Sequence, residues 1–379
     1  MDNQRLLVWA AFGLLLWFAY QTWMQDYGPQ PTPPVEGADP AEPAVAEDGL
    51  SLPELGDAPV EPGSEPTGSL PGDTVAAAPD REETIRVTTD VFDIEISTRG
   101  GTVVQATMLG YPIHKDQPDT LVRLLTPERH DLGLIRTGLR SASGEAADHN
   151  AVFSARQRSY ELGEADEIVV PLVWTDNSGL SVEKRLTFTR GSYAIGVEQT
   201  ITNSSSQPWR GDQYTQLLRR SRGRERSMFN VDSYSFDGPI TYDGDKAEKL
   251  ERDDLLDKGA VEYSTPDGWV AAIQHHFLSA IVPGADAQHI FRVEVSDDIM
   301  IASVVGAKQT VEPGASHTFN RTLYVGPKEQ AQLSELHERL KLTVDYGWLT
   351  ILSQPMFWLL AFIYRYVGNW GLAIIIVTI

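Results

Sequence analysis

Three groups of side chains in this sequence have types and spacing that could do chemistry. His275 and His276 adjoin, and two imidazoles are a common start for a metal site. The run that holds them, Trp269–Val282, reads as a strand, so their side chains point to opposite faces and cannot share an ion. Asp253-Asp254 lies in an acid-rich stretch and reads as a solvated face rather than a carboxylate pair. Arg219–Arg226, RRSRGRER, is the only dense basic patch. It could hold an anionic partner or a lipid headgroup, and the competing reading is a local counterweight to the surrounding acids. The sequence holds no P-loop, no G-x-G-x-x-G, no G-x-S-x-G and no H-E-x-x-H. Cysteine is absent, which excludes disulfides, thiolate metal sites and cysteine nucleophiles. No catalytic residue, metal or cofactor is expected, and nothing argues for an enzyme. With 31 basic against 53 acidic residues the net charge is −22, which repels phosphate backbones and excludes nucleic acid as a partner.

The elements that would position any site are mostly strands. In Val91–Ser97 the apolar Phe92, Ile94 and Ile96 alternate with Asp93, Glu95 and Ser97, a half-buried strand. Gly100-Gly101 then turns the chain into TVVQATML. Along Leu180–Phe188, Leu180, Val182, Leu186 and Phe188 face one way, and Ser181, Glu183, Arg185 and Thr187 the other. In Tyr193–Thr202 the residues Tyr193, Ile195, Val197 and Ile201 share a face. Further strands are expected at His289–Val295, Ile299–Val305 and His317–Val325, with turns at Pro283-Gly284, Pro313-Gly314 and Gly326-Pro327. Residues 220–258 are charged and weakly periodic and read as an excursion from the sheets. Many strands at short spacing over 83–327 indicate a large antiparallel sandwich.

Both ends of the chain read as membrane segments. After a short cytoplasmic terminus (1–5), residues 6–25 form a first transmembrane helix. Its uncharged stretch Leu6–Met24 has 19 residues, or ~28 Å as a helix, close to the bilayer core. A cleaved signal peptide is the alternative, but no small-x-small site follows. Arg5 precedes the span, and the next basic residue is Arg81, so the amino terminus faces the cytoplasm and the rest is exported. Residues 26–82 are an acidic, proline-rich linker. Its 27–80 stretch has twelve prolines, eleven acids and no basic residue, a composition expected to be disordered. Beyond the sandwich, Leu333, Leu336 and Leu340 mark an amphipathic helix over 328–343.

From Ile351 to Ile379 there are 29 residues and one charge, Arg365. As one helix this would be ~43 Å, longer than a bilayer core. Gly368-Asn369 offers a break, with Pro355 suited to a first helical position and Gly368 to a cap. The reading is therefore an interfacial segment and helix (344–368) and the start of a second span (369–379). One long tilted span is the alternative. Six of nine tryptophans lie in or beside these ends. Trp23, Tyr346, Trp348, Trp358 and Trp370 are the candidate interfacial anchors.

Taken together, MDNQRLLVWAAFGLLLWFAYQTWMQD, TDVFDIEISTRGGTVVQA, KRLTFTRGSYAIGVEQTITN, GWVAAIQHHFLSAIVP, and LTVDYGWLTILSQPMFWLL followed by VGNWGLAIIIVTI closely resemble the YidC/Oxa/Alb family of bacterial insertases. The likeness is to the Gram-negative form with a large periplasmic domain, and it covers all but the linker. It implies a galactose-mutarotase-like β-supersandwich and a multi-pass protein of the inner membrane. It implies an insertase and chaperone that acts alone or with the Sec translocon. Nascent membrane proteins and lipids would be its partners, the translocon being met through the periplasmic domain. In the family a hydrophilic groove among membrane helices shelters polar parts of the nascent chain. Thr378 matches a groove-lining threonine of the second span. The groove arginine would fall beyond Ile379, so this stretch is expected not to insert proteins by itself. A membrane-tethered periplasmic carbohydrate-binding or mutarotase-like protein is the reading from a different class.

Overall fold

The computed structural model describes residues 83–142, 146–220, 236–284, 287–344 and 350–378. The strands, in chain order, begin with β1 (Thr84–Thr88), β2 (Phe92–Ser97), β3 (Val103–His114), β4 (Gln117–Leu125) and β5 (Gly133–Ser141). Next come β6 (Ser154–Ala155), β7 (Ser159–Glu161), β8 (Glu167–Thr175), β9 (Leu180–Thr189) and β10 (Ala194–Asn203). The third group is β11 (Trp209–Arg220), β12 (Gly238–Tyr242), β13 (Ala247–Lys249), β14 (Val261–Thr265) and β15 (Trp269–Ile273). The last are β16 (Phe277–Val282), β17 (His289–Ser296), β18 (Ile299–Val305), β19 (Gln309–Val311) and β20 (Ser316–Pro327). The helices are α1 (Arg252–Lys258), α2 (Gln330–Leu336), α3 (Thr350–Val367) and α4 (Trp370–Thr378).

Among the described residues the strands form two sheets. The eleven-stranded sheet runs β14-β17-β18-β11-β5-β3-β2-β1-β7, with β19 on β11 and β4 on β3. The nine-stranded sheet runs β13-β12-β15-β16-β20-β10-β9-β8-β6. Period-two alternation drives the layering. In β2 Phe92, Ile94 and Ile96 are buried while Asp93 and Glu95 are half-exposed. In β10 Ile195, Val197 and Ile201 turn inward between partly exposed neighbours. The core between the sheets gathers Phe92, Ile94, Phe188, Leu217, Trp269, Phe291 and Tyr324. Each such side chain contributes about 1.5–3 kcal/mol on burial. The β2–β3 turn needs its glycines: Gly100 and Gly101 have φ of 67° and 62°, a left-handed pair that side chains disfavour.

Five local readings need correction. Trp269–Val282 is not one strand but a hairpin, β15 and β16, closed by Gln274 N–H donating to the Phe277 carbonyl at 2.8 Å. The 220–258 stretch is not an excursion throughout: β12 and β13 extend the nine-stranded sheet, because Ile240 and Tyr242 are apolar enough to join the core. Gly326-Pro327 does not turn the chain but ends β20, paired with Leu278 and Phe277. The amphipathic helix over 328–343 breaks at His337, whose backbone is extended, and resumes as a 3-10 helix, Glu338–Thr343. The His337 ring supports the break, its Nδ1 accepting from Arg339 N–H at 3.1 Å and its Nε2 bonding Asp267 at 2.8 Å. Leu333 and Leu340 are nevertheless both fully buried in the sandwich core. Finally, Pro355 is not at the first helical position; α3 starts earlier, at Thr350, and the proline sits inside it.

Candidate membrane-contacting site

Among the described residues, most of the exposed large apolar side chains belong to α3 and α4. Both are short of polar residues: α3 reads TILSQPMFWLLAFIYRYV and α4 WGLAIIIVT. Gly368, at φ 66°, ends α3 and its N–H donates to the Tyr364 carbonyl at 2.7 Å. Asn369 caps α4, its Oδ1 accepting from Leu372 N–H at 3.2 Å. Across that break the rings of Tyr364 and Trp370 stack at 3.9 Å and 8°. Along α3, Trp358, Phe362 and Tyr366 recur every four residues and form an exposed aromatic stripe, with ring centroids 5.7 and 5.1 Å apart. Trp358 is 67% and Tyr366 75% exposed. On α4, Leu372, Ile374, Ile375 and Ile376 are exposed too. A soluble surface rarely carries so continuous an apolar patch, whereas the boundary of a bilayer favours aromatics of this kind. Among the described residues no helix is long and apolar enough to cross a membrane.

Of the candidate anchors, Trp358 and Trp370 fall on this surface. Trp23, Tyr346 and Trp348 lie outside the described residues, as do 6–25 and the linker, 26–82. Thr378 is exposed on the last turn of α4, its hydroxyl donating to the Ile374 carbonyl at 2.7 Å.

The chemistry-bearing groups of the sequence land apart from that surface. His275 and His276 lie not on a strand but in the exposed β15–β16 turn, their rings edge to face at 4.0 Å. They border an open depression with Phe236, Pro327 and Glu329. Asp253 is 92% exposed in the first turn of α1, and Asp254 pairs with Lys258 at 3.0 Å. Arg219 pairs with Asp237 at 3.1 Å and Arg220 with Asp298. Those two arginines thus offset neighbouring acids; the rest of the basic patch lies outside the described residues. Among the described residues no group of three or more His, Asp or Glu is placed to hold a metal ion.

Sequence reading missed a polar cluster inside the sandwich. Lys184 on β9 is fully buried, and its Nζ donates to the carbonyl oxygens of Thr137, at 2.7 Å, and of Gly100. The ammonium also sits 4.9 Å from the centre of the Phe153 ring. Burial pulls it down to about 7. Nearby, the fully buried Tyr214 hydroxyl accepts from the His149 N–H at 2.9 Å and lies 2.6 Å from its Nδ1. Burial raises the Tyr214 phenol well above its ordinary range. Burial, then the positive charge of Arg136, pushes His149 down to about 4. The parity of β9 was a signal that Lys184 faces inward; its charge argued against reading it so.

The fold and this surface define a β-sandwich domain joined to helices with an apolar, membrane-type face. The chain belongs to the YidC family: residues 84–359 match the family described as the YidC periplasmic domain. It is 39% identical over 390 residues to a protein of Thioalkalivibrio sulfidiphilus named membrane protein insertase YidC, covering 100% of this chain and 68% of the relative. A protein of the same name from Methylococcus capsulatus is 36% identical, covering 100% of this chain and 67% of the relative. The chain thus spans about two thirds of these relatives' length. Among solved structures it is similar to a galactose mutarotase-like protein of Lactobacillus casei, with 12% identity and a TM-score of 0.42, over 64% of this chain and 99% of that one. A putative aldose 1-epimerase of Escherichia coli gives 10% identity and a TM-score of 0.39, over 65% and 99%. Likeness at that level carries no argument about activity.

Proposed function

We propose that this chain is the periplasmic sandwich and adjoining membrane attachment of a membrane protein insertase. Such a protein helps nascent membrane proteins into the inner membrane without covalent chemistry. The observation that carries the reading is the identity of 39% to an insertase across the whole chain, helices α3 and α4 included. The finer topology has the amino terminus in the cytoplasm, since Arg5 is the only basic residue near the first apolar run. The exposed aromatic stripe supports α3 as a helix lying in the bilayer interface, with Trp358 and Trp370 as anchors. Thr378 is proposed to line the groove that receives the substrate, and the sandwich to meet the Sec translocon.

The test is complementation. The full-length protein carrying this chain is expressed in cells depleted of their own insertase, and insertion of a small single-span substrate is followed. Restored insertion is the expected result. A protein that accumulates in the membrane yet restores nothing would remove the assignment.

A further inference from the structure

Arg321 on β20 faces the interior of the sandwich and is 3% exposed. Its one hydrogen-bond neighbour is His289, whose Nδ1 lies 3.4 Å from Nη1. His289 Nε2 lies 2.9 Å from the Gly284 carbonyl. A ring that donates there from Nε2 presents a bare Nδ1 to the guanidinium and is neutral, so it supplies no negative charge. None of the ion pairs among the described residues includes Arg321, and its Nε has no hydrogen-bond partner. Burial alone acts on it, pulling the guanidinium down to about 10, with no acid near enough to oppose that. A lone buried charge costs several kcal/mol and is ordinarily paired.

A second unmatched donor lies alongside. Gln199 on β10 is fully buried, and its Oε1 accepts from Gln213 Nε2 at 2.9 Å. In that arrangement Gln199 Nε2 is left without an acceptor. Strand register brings the two donors together. Val197 stands opposite Arg321 and Gln199 opposite Phe319, so Gln199 and Arg321 are diagonal neighbours on one face. Long side chains so placed reach one another. Gly306 lets the guanidinium pack close to the backbone, since a Cβ there would come within 3.3 Å of Nη2.

We propose that the interior of the sandwich binds one halide-sized monovalent anion between Arg321 Nε and Gln199 Nε2. One uncompensated positive charge calls for one negative charge. Two N–H donors enclosed between packed sheets suit a small anion that needs only acceptor bonds. A water molecule would accept the same bonds but would leave the charge unpaired.

The test uses the full chain in detergent, with chloride exchanged for gluconate at constant ionic strength. Binding to the folded state alone gives a gain that keeps growing with the anion: above the dissociation constant, a tenfold rise in chloride raises the folded-to-unfolded ratio about tenfold. Arg321→Met should abolish this dependence. Should that variant not fold, Gln199→Leu serves instead and should shift the dependence to higher chloride. Crystals grown in bromide should show an anomalous peak between the two donors. Stability indifferent to chloride, an unchanged dependence in the variants, or a bromide peak elsewhere would each overturn the proposal.

Discussion

Lys184 on β9 donates across the sandwich to the Thr137 carbonyl on β5 at 2.7 Å, joining the nine-stranded sheet to the eleven-stranded one. The contact is made by an ammonium that burial brings down to about 7 from its ordinary 10.5. The unfolded chain therefore holds this proton over the interval where the folded chain has released it. Stability is expected to rise with pH from about 7 towards 10.5, the contribution being complete above the unfolded value and lost as pH falls to about 7. Lys184→Met should flatten that slope. Urea midpoints of both forms at several pH values check it, and parallel curves would contradict it.

His149 gives the opposite end of the pH range. Its folded value lies near 4 against an ordinary 6.5, so its neutral ring contributes stability above 6.5 that disappears as pH falls towards 4. His149→Gln should lose less stability than the parent between those values. Thermal midpoints across that interval measure the difference, and equal losses would refute the assignment.

Tyr214→Phe removes both bonds to His149, leaving a part-buried backbone N–H and imidazole nitrogen without their partner. The expected loss is about 1–3 kcal/mol. A shift in the denaturant midpoint of less than about 0.5 kcal/mol, the range of a neutral surface change, would mean the hydroxyl matters little.

Gly326→Ala tests close packing. A Cβ at Gly326 would stand 2.6 Å from Cβ and Cγ of Tyr193. That ring is held by Phe92 at 5.4 Å and Tyr324 at 6.4 Å, so it has little room to retreat. Overpacking of about 1–3 kcal/mol is expected, read as a lowered urea midpoint. An unchanged midpoint would show that the end of β20 yields.

The α3 surface makes a spectroscopic prediction. Trp358 fluorescence in reconstituted protein should be quenched by brominated lipid, and more strongly than by aqueous iodide. Phe362→Asp, placed mid-stripe between Trp358 and Tyr366, should reduce lipid quenching several-fold by adding a charge to the apolar face. Stronger quenching by iodide than by lipid would move the helix out of the interface.

Where alternation is strict, sequence alone located the elements. Phe92, Ile94 and Ile96 marked β2, because a period of two follows directly from the pleat, while the continuous apolar run Ile299–Val305 matched β18 end to end. The break at Gly368 was legible for a similar reason, since only glycine takes its φ of 66° at ease. The local errors arose where a distant partner outweighed local preference. Gly326 and Pro327 look like a turn by type, yet β16 supplies a strand for them to pair with. His337 interrupts a leucine repeat that reads as helix, with Asp267, seventy residues earlier, holding its ring.

The interior polar groups were beyond sequence reading altogether. Lys184 and Gln199 share the parity of the inward residues of β9 and β10, but what they meet, Gly100 and Thr137 for one and Gln213 for the other, comes from segments remote in the chain. Sequence determined by itself the strand-rich domain, the apolar ends and the family. Tertiary structure alone decided which charges are buried and which donors lack acceptors. Those properties depend on the register and layering of two sheets, and no local periodicity encodes them.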